Sequence, residues 1–135
     1  MSKYRAPSTK TKYYIPKEDY LTAIHYSLRY PLWLAEVNDI ADTSAAIRYD
    51  KDKVQTSGDN DPTFKAALKI SKINERIKLI DDIISLVTSD NGYYLRLGVC
   101  YGLTFDQLKS RGMAYERDAY YLMRRKYYYE LSLVI

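Results

Sequence analysis

From Ile70 to Val87, apolar residues recur at Ile70, Ile73, Ile77, Ile80, Ile84 and Val87, in steps of 3, 4, 3, 4 and 3. That rhythm keeps one stripe on one side of an α-helix. Leu79, Ile83 and Leu86 widen the stripe beyond a two-stranded seam. A helix of about 25 residues packed on an earlier helix of the same chain is therefore expected, with a dimeric coiled coil through Ile70–Val87 as the alternative. Asp61-Pro62 supplies its start, an N-cap carboxylate followed by a proline at the first helical position.

The same reasoning places the other elements. Pro16, Glu18 and Asp19 suit a helix N-terminus, and Leu21, Ile24 and Leu28 follow at helical spacing. Pro31 should kink or end that helix. Trp33, Leu34, Val37 and Ile40 carry an apolar stripe onward, so a bent helix or two helices are expected over 17–41. Residues 42–61 show no sustained period and are rich in Asp, Ser and Thr, which predicts a long loop with room for a turn of helix near Ala45. Ser89 to Gly92 reads as a turn, and Tyr93 to Tyr101 as a short helix closed by Gly102. Leu95, Val99 and Cys100 are its inward candidates. Thr104 and Gln107 have capping-box spacing, so another helix starts there with Leu108 facing the core. Gly112 breaks it, and a last helix runs from about Ala114 to Leu133. No strand pattern or internal repeat competes. The expected fold is all-α: a flexible basic arm over 1–15, a long helical hairpin over 16–88 with its loop at 42–61, and a helix-turn-helix module over 89–135.

Composition then narrows the function. Hydrophobic residues make up 47% of the 135, enough for a core in one domain. The formal net charge of +4 is mild, but it is concentrated. Lys3, Arg5, Lys10, Lys12 and Lys17 lie in the first 17 residues without an acid, and Arg117, Arg124, Arg125 and Lys126 lie on the last helix. Both regions could meet a polyanion, although the arm could equally be a solubilising tail. The single Cys100 excludes an intramolecular disulfide and points to a reducing, intracellular setting. No apolar run approaches the roughly 20 residues of a membrane helix, so no membrane partner is expected. There are 16 Tyr against 2 Phe and 1 Trp. Tyrosine suits wet interfaces and also small cores whose edge reaches water, and composition does not separate the two.

On the last helix, Arg117, Tyr121, Arg124, Arg125 and Tyr128 fall within an arc of roughly 80–100°. Ala119, Leu122, Met123, Tyr127, Leu133 and Val134 take the other side. Arginine forks onto guanine or phosphate, and tyrosine contacts phosphate or a thymine methyl. A solvated charged face is the plainer reading, yet such a face favours Glu and Lys over Tyr. Nothing asks for catalysis. His25 is the one histidine, so no zinc set can form with Cys100, and the Asp50–Asp61 carboxylates lack the calcium-loop spacing. Asp81 and Asp82 point about 100° apart on a helix. No phosphate-binding glycine motif occurs. A non-enzyme without cofactor or metal is expected.

Thr104-Phe-Asp-Gln-Leu108, Gly112-Met113-Ala114 and Glu116-Arg117 resemble the first helix, turn and recognition-helix start of the helix-turn-helix in sigma-factor region four. Asp61-Pro62-Thr63, with Arg124-Arg125-Lys126-Tyr127-Tyr128, resembles small phage late-transcription regulators of the RinA/ArpU type. The likeness covers about residues 61–135. The first helix of the motif is short here, and Ala114 stands where Ser or Thr would cap. The resemblance implies a double-stranded DNA-binding regulator of phage or mobile-element genes that could also touch RNA polymerase. It implies base-edge contacts for Tyr115, Glu116, Arg117, Tyr120 and Tyr121. Backbone contacts would fall to Arg124, Arg125 and Tyr128. The alternative is a small phage-encoded protein that inhibits a host protein through its Tyr-rich surface and the acidic Asp50–Asp61 loop.

Overall fold

A computed structural model describes the backbone of residues 12–51 and 62–135, and the side chains of 12–42 and 63–135. All its regular elements are helices: α1 (Lys17–Leu28), α2 (Tyr30–Lys51), α3 (Pro62–Val87), α4 (Tyr93–Tyr101), α5 (Phe105–Ser110) and α6 (Arg117–Ser132). The all-α class is as expected, and no strand occurs among the described residues. No helix among them is long and apolar enough to cross a membrane.

Two boundaries differ from expectation. The stretch expected as a loop over 42–61 is helical as far as Lys51, the end of α2; residues 52–61 lie outside the described ones. The turn of helix allowed near Ala45 is part of a longer helix, which Ala45, Ala46 and Ile47 can sustain among polar neighbours. The flexible arm expected over 1–15 is corrected at its last residues. Residues 1–11 are outside the described ones, but Ile15 is 1% exposed and Tyr13 meets Tyr129 edge-on at 5.5 Å. One buried isoleucine is enough to anchor such a short approach. Pro31 neither kinks nor ends a helix. The break falls at Arg29, and Pro31 is the second residue of α2, in the first turn where its missing N–H costs nothing.

The chain forms two compact units, residues 1–30 with 80–135, and residues 31–79. In the first, α6 and α4 pack on α1, and α4 also carries α5. Its core includes Ala23, Ile80, Ile84, Leu95, Val99, Leu108, Tyr120, Tyr127 and Leu131, none more than 2% exposed. Tyr30 donates to Asp81 at 2.9 Å, and Arg96 reaches the same carboxylate oxygen through Nε at 3.2 Å and an η nitrogen at 3.0 Å. This joins the start of α2, the last turns of α3 and α4. Burial, reinforced by Asp81, pushes the Tyr30 phenol up to about 12. In the second unit, Trp33 meets the Arg76 guanidinium at 5.8 Å and Glu36 pairs with Lys69 at 3.0 Å. These contacts progress in opposite senses along α2 and α3.

The isoleucine stripe faces inward. Ile73, Ile80 and Ile84 are buried within one chain. A dimer zipped through this stripe would have to open that packing first.

Candidate nucleic-acid interface

The interface expected on α6 is positioned from α4 and α5. The capping box at Thr104 closes in both directions. Thr104 Oγ1 accepts from the Gln107 N–H at 3.2 Å, and Gln107 Oε1 accepts from the Thr104 N–H at 2.8 Å. Such a cap is worth about 1 kcal/mol, which a helix of only six residues needs. Gly102 closes α4 at φ +73, as expected of a left-handed C-cap. Gly112 leaves α5 at φ +97, where a side chain would be strained.

Residues 111–116 separate α5 from α6, and the segment is pinned from both sides. The Tyr94 hydroxyl donates to the Arg111 carbonyl at 3.2 Å, and the Tyr115 hydroxyl donates to Asp90 Oδ2 at 2.7 Å. Asp90 is itself held, since its other oxygen accepts from the Gly92 N–H at 2.8 Å. The bond to Asp90 raises the Tyr115 pKa above its usual value. Met113, 3% exposed, fills the space beneath.

α6 starts at Arg117 with Glu116 as N-cap, three residues later than expected from Ala114. Its buried face is Tyr120, Met123, Tyr127, Tyr128 and Leu131. Ser27 donates to the Ala23 carbonyl at 2.9 Å, so the 2.7 Å contact with Tyr127 is a bond donated by the phenol. Tyr128 packs edge-on against Tyr20 at 5.4 Å, and Tyr120 tilts on Phe105 at 5.8 Å. The Tyr120 hydroxyl lies against Gly98 of α4, in the space a Cβ there would take. Burial pushes Tyr120 and Tyr128 up to about 12 and Tyr127 higher still.

The eight residues expected to meet DNA therefore divide. Tyr120 and Tyr128 are buried, 2% and 3% exposed, and correct the expectation that they contact bases or backbone. Arg124 is largely enclosed: its guanidinium lies 5.8 Å from the Tyr121 ring and 5.6 Å from that of Tyr128, and its Nε is buried without a hydrogen-bond partner. Tyr115 has its hydroxyl committed to Asp90. Glu116 and Arg117 are exposed, and Tyr121 and Arg125 are half-buried. Ala119 and Leu122, assigned to the inner side, are exposed instead. A tyrosine body removes far more apolar area from water than an alanine methyl, and Ser27 satisfies a hydroxyl that burial would otherwise penalise. The helix has rolled toward its tyrosines for that reason.

Electrostatics differ along α6. Arg117 sits 4.5 Å from the Phe105 ring centroid and 3.6 Å from Asp106, with Glu116 and Asp118 beside it in sequence. Lys109 and Arg111, which the sequence reading passed over, are exposed at the end of α5. Lys126 and Lys12 both approach the Tyr13 ring, at 5.7 and 5.5 Å. Their charges were visible in the sequence, but the placement of Lys12 near Lys126 of α6 depends on how residues 12–16 dock. Cys100 is buried, and desolvation pushes its thiol up to about 12. Among the described residues, no group of three or more His, Cys, Asp or Glu side chains could hold a metal ion.

No family model, curated protein or solved structure matches the chain.

Proposed function

We propose that this protein binds double-stranded DNA as a transcription regulator of phage or mobile-element genes. The reading is carried by α6. One face of it is consumed by α1 and α4, while another edge presents Arg117 and Tyr121 just after a capped short helix and a glycine turn. Lys109 and Arg111 extend the cationic surface onto α5. Arginine and tyrosine at such an edge offer phosphate neutralisation and groove contacts without any catalytic group. On this reading the protein is not an enzyme and acts without a cofactor in the cytoplasm of a bacterial host. Contact with RNA polymerase follows from the resemblance to phage late-transcription regulators.

The test is binding of the purified protein to random and native-upstream duplexes, with Arg117→Ala/Tyr121→Ala as the variant. A wild-type preference for one upstream duplex that collapses in the variant, with thermal stability retained, is the expected outcome. Equal affinity of both proteins for every duplex would sink the groove-reading role of α6.

A second reading, a phage-encoded inhibitor of a host protein, is favoured by a different place. In the second unit Phe64 and Leu68 are 52% and 47% exposed. Nearby on α3 lies an open groove of about 520 Å³ lined by Thr63, Ala67, Ile70, Ser71, Asn74 and Glu75.

A further inference from the structure

Where α6 passes the segment leading into α1, its charge is not balanced as it is at Arg117. Lys12 and Lys126 approach one Tyr13 ring at 5.5 and 5.7 Å, so a single ring draws two like charges. Tyr13 is itself fixed edge-on against Tyr129, and Ile15 is buried two residues later, so the pairing is anchored. Arg125, one residue before Lys126, acts electrostatically on Tyr20 of α1, as does Arg124. The acids on these elements are Glu18, Asp19, Asp118 and Glu130, and none forms an ion pair with Lys12, Arg125 or Lys126 among the described residues. Holding uncompensated cations together costs free energy, and a polyanion repays it by releasing counterions.

We propose that Lys12, Arg125 and Lys126 form a phosphate-contact surface for duplex DNA, separate from the Arg117–Tyr121 edge. The proposal rests on the DNA-binding reading above. It moves the main electrostatic grip from the start of α6, where Asp106, Glu116 and Asp118 offset Arg117, to its middle. The surface carries no base-reading geometry, so its contribution is independent of sequence and sensitive to salt.

The experiment is fluorescence anisotropy of a labelled random-sequence duplex with the full chain, across roughly 50–200 mM salt. The triple variant Lys12→Gln/Arg125→Gln/Lys126→Gln should lower the slope of log affinity against log salt by about 3 units. The double variant Lys12→Gln/Lys126→Gln, confined to two side chains at the junction, should lower it by about 2 and keeps the test open if loss of Arg125 disturbs folding. An unchanged slope in the folded double variant, beside a wild type that binds, overturns the proposal and leaves the α5–α6 reading intact. A wild type that binds no duplex at the lowest salt overturns both. A slope that falls as expected, while Arg117→Ala/Tyr121→Ala binds every duplex as the wild type does, upholds the junction and removes the groove-reading role instead.

Discussion

The two compact units bury very different things. The first closes over Ile15, Ile80, Ile84, Leu95, Val99, Leu108 and Leu131, and adds five tyrosines, Tyr20, Tyr30, Tyr120, Tyr127 and Tyr128. The second buries Trp33 and Ile73 among its described residues and leaves Leu32, Leu34, Phe64 and Leu68 at 36–65% exposed. Stability scales with the apolar area withdrawn from water, so the first unit should dominate global folding and the second should open locally at lower cost. The tyrosines also show what a polar-tipped aromatic needs in a core. Tyr127 finds Ser27 and Tyr30 finds Asp81. Each pairing adds orientation to burial, because a phenol must meet its partner as well as fill its space.

The largest effect should come from truncating Tyr127, which is fully buried and bonded across α1 and α6. Tyr127→Ala is expected to cost about 3–5 kcal/mol and to lower the whole unfolding transition. Trp33→Ala, also a large truncation, should instead strip amide protection from α2 and the first half of α3 while α4 and α6 stay protected. Hydrogen exchange on both variants checks this, and uniform loss of protection in the Trp33 variant would erase the distinction between the units.

Alkali should act on the first unit. Tyr30, Tyr120 and Tyr128 are raised to about 12 from an ordinary 10, mainly by burial. A raised folded pKa means that the stabilisation is complete below pH 10 and is lost as pH climbs toward 12. Circular dichroism and tyrosinate absorbance should therefore change together in that window. Phenol ionisation completed near pH 10 with the helices intact would show that these tyrosines are in contact with water.

A smaller effect should come from Gly98→Ala. The new methyl would meet the Tyr120 hydroxyl, at a cost of about 1–3 kcal/mol as overpacking. Tyr120→Phe in the same chain removes the obstructing oxygen and should restore most of the loss in a denaturant melt. Equal destabilisation with and without that oxygen would mean α4 and α6 are not packed in this way.

The sequence by itself determined the elements whose signals are local. The isoleucine period of α3, its start at Pro62, the Thr104–Gln107 box and the Gly102 cap each act over a turn or two of chain, where spacing and backbone conformation decide the outcome. Leu95, Val99, Cys100 and Leu108 were legible as inward for the same reason. Tertiary structure decided which way α6 faces. Arg117, Tyr121, Arg124, Arg125 and Tyr128 read as one polar stripe, and the resemblance set Tyr120 toward base edges, yet Tyr120 and Tyr128 turn inward because Phe105, Gly98 and Tyr20 make room for their rings. A tyrosine carries both a large apolar ring and a hydroxyl, so its side of a helix is settled by what lies opposite and not by its own chemistry. The same holds for Lys12 and Lys126, more than a hundred residues apart, which become neighbours only once Ile15 and Tyr13 are docked beside α6.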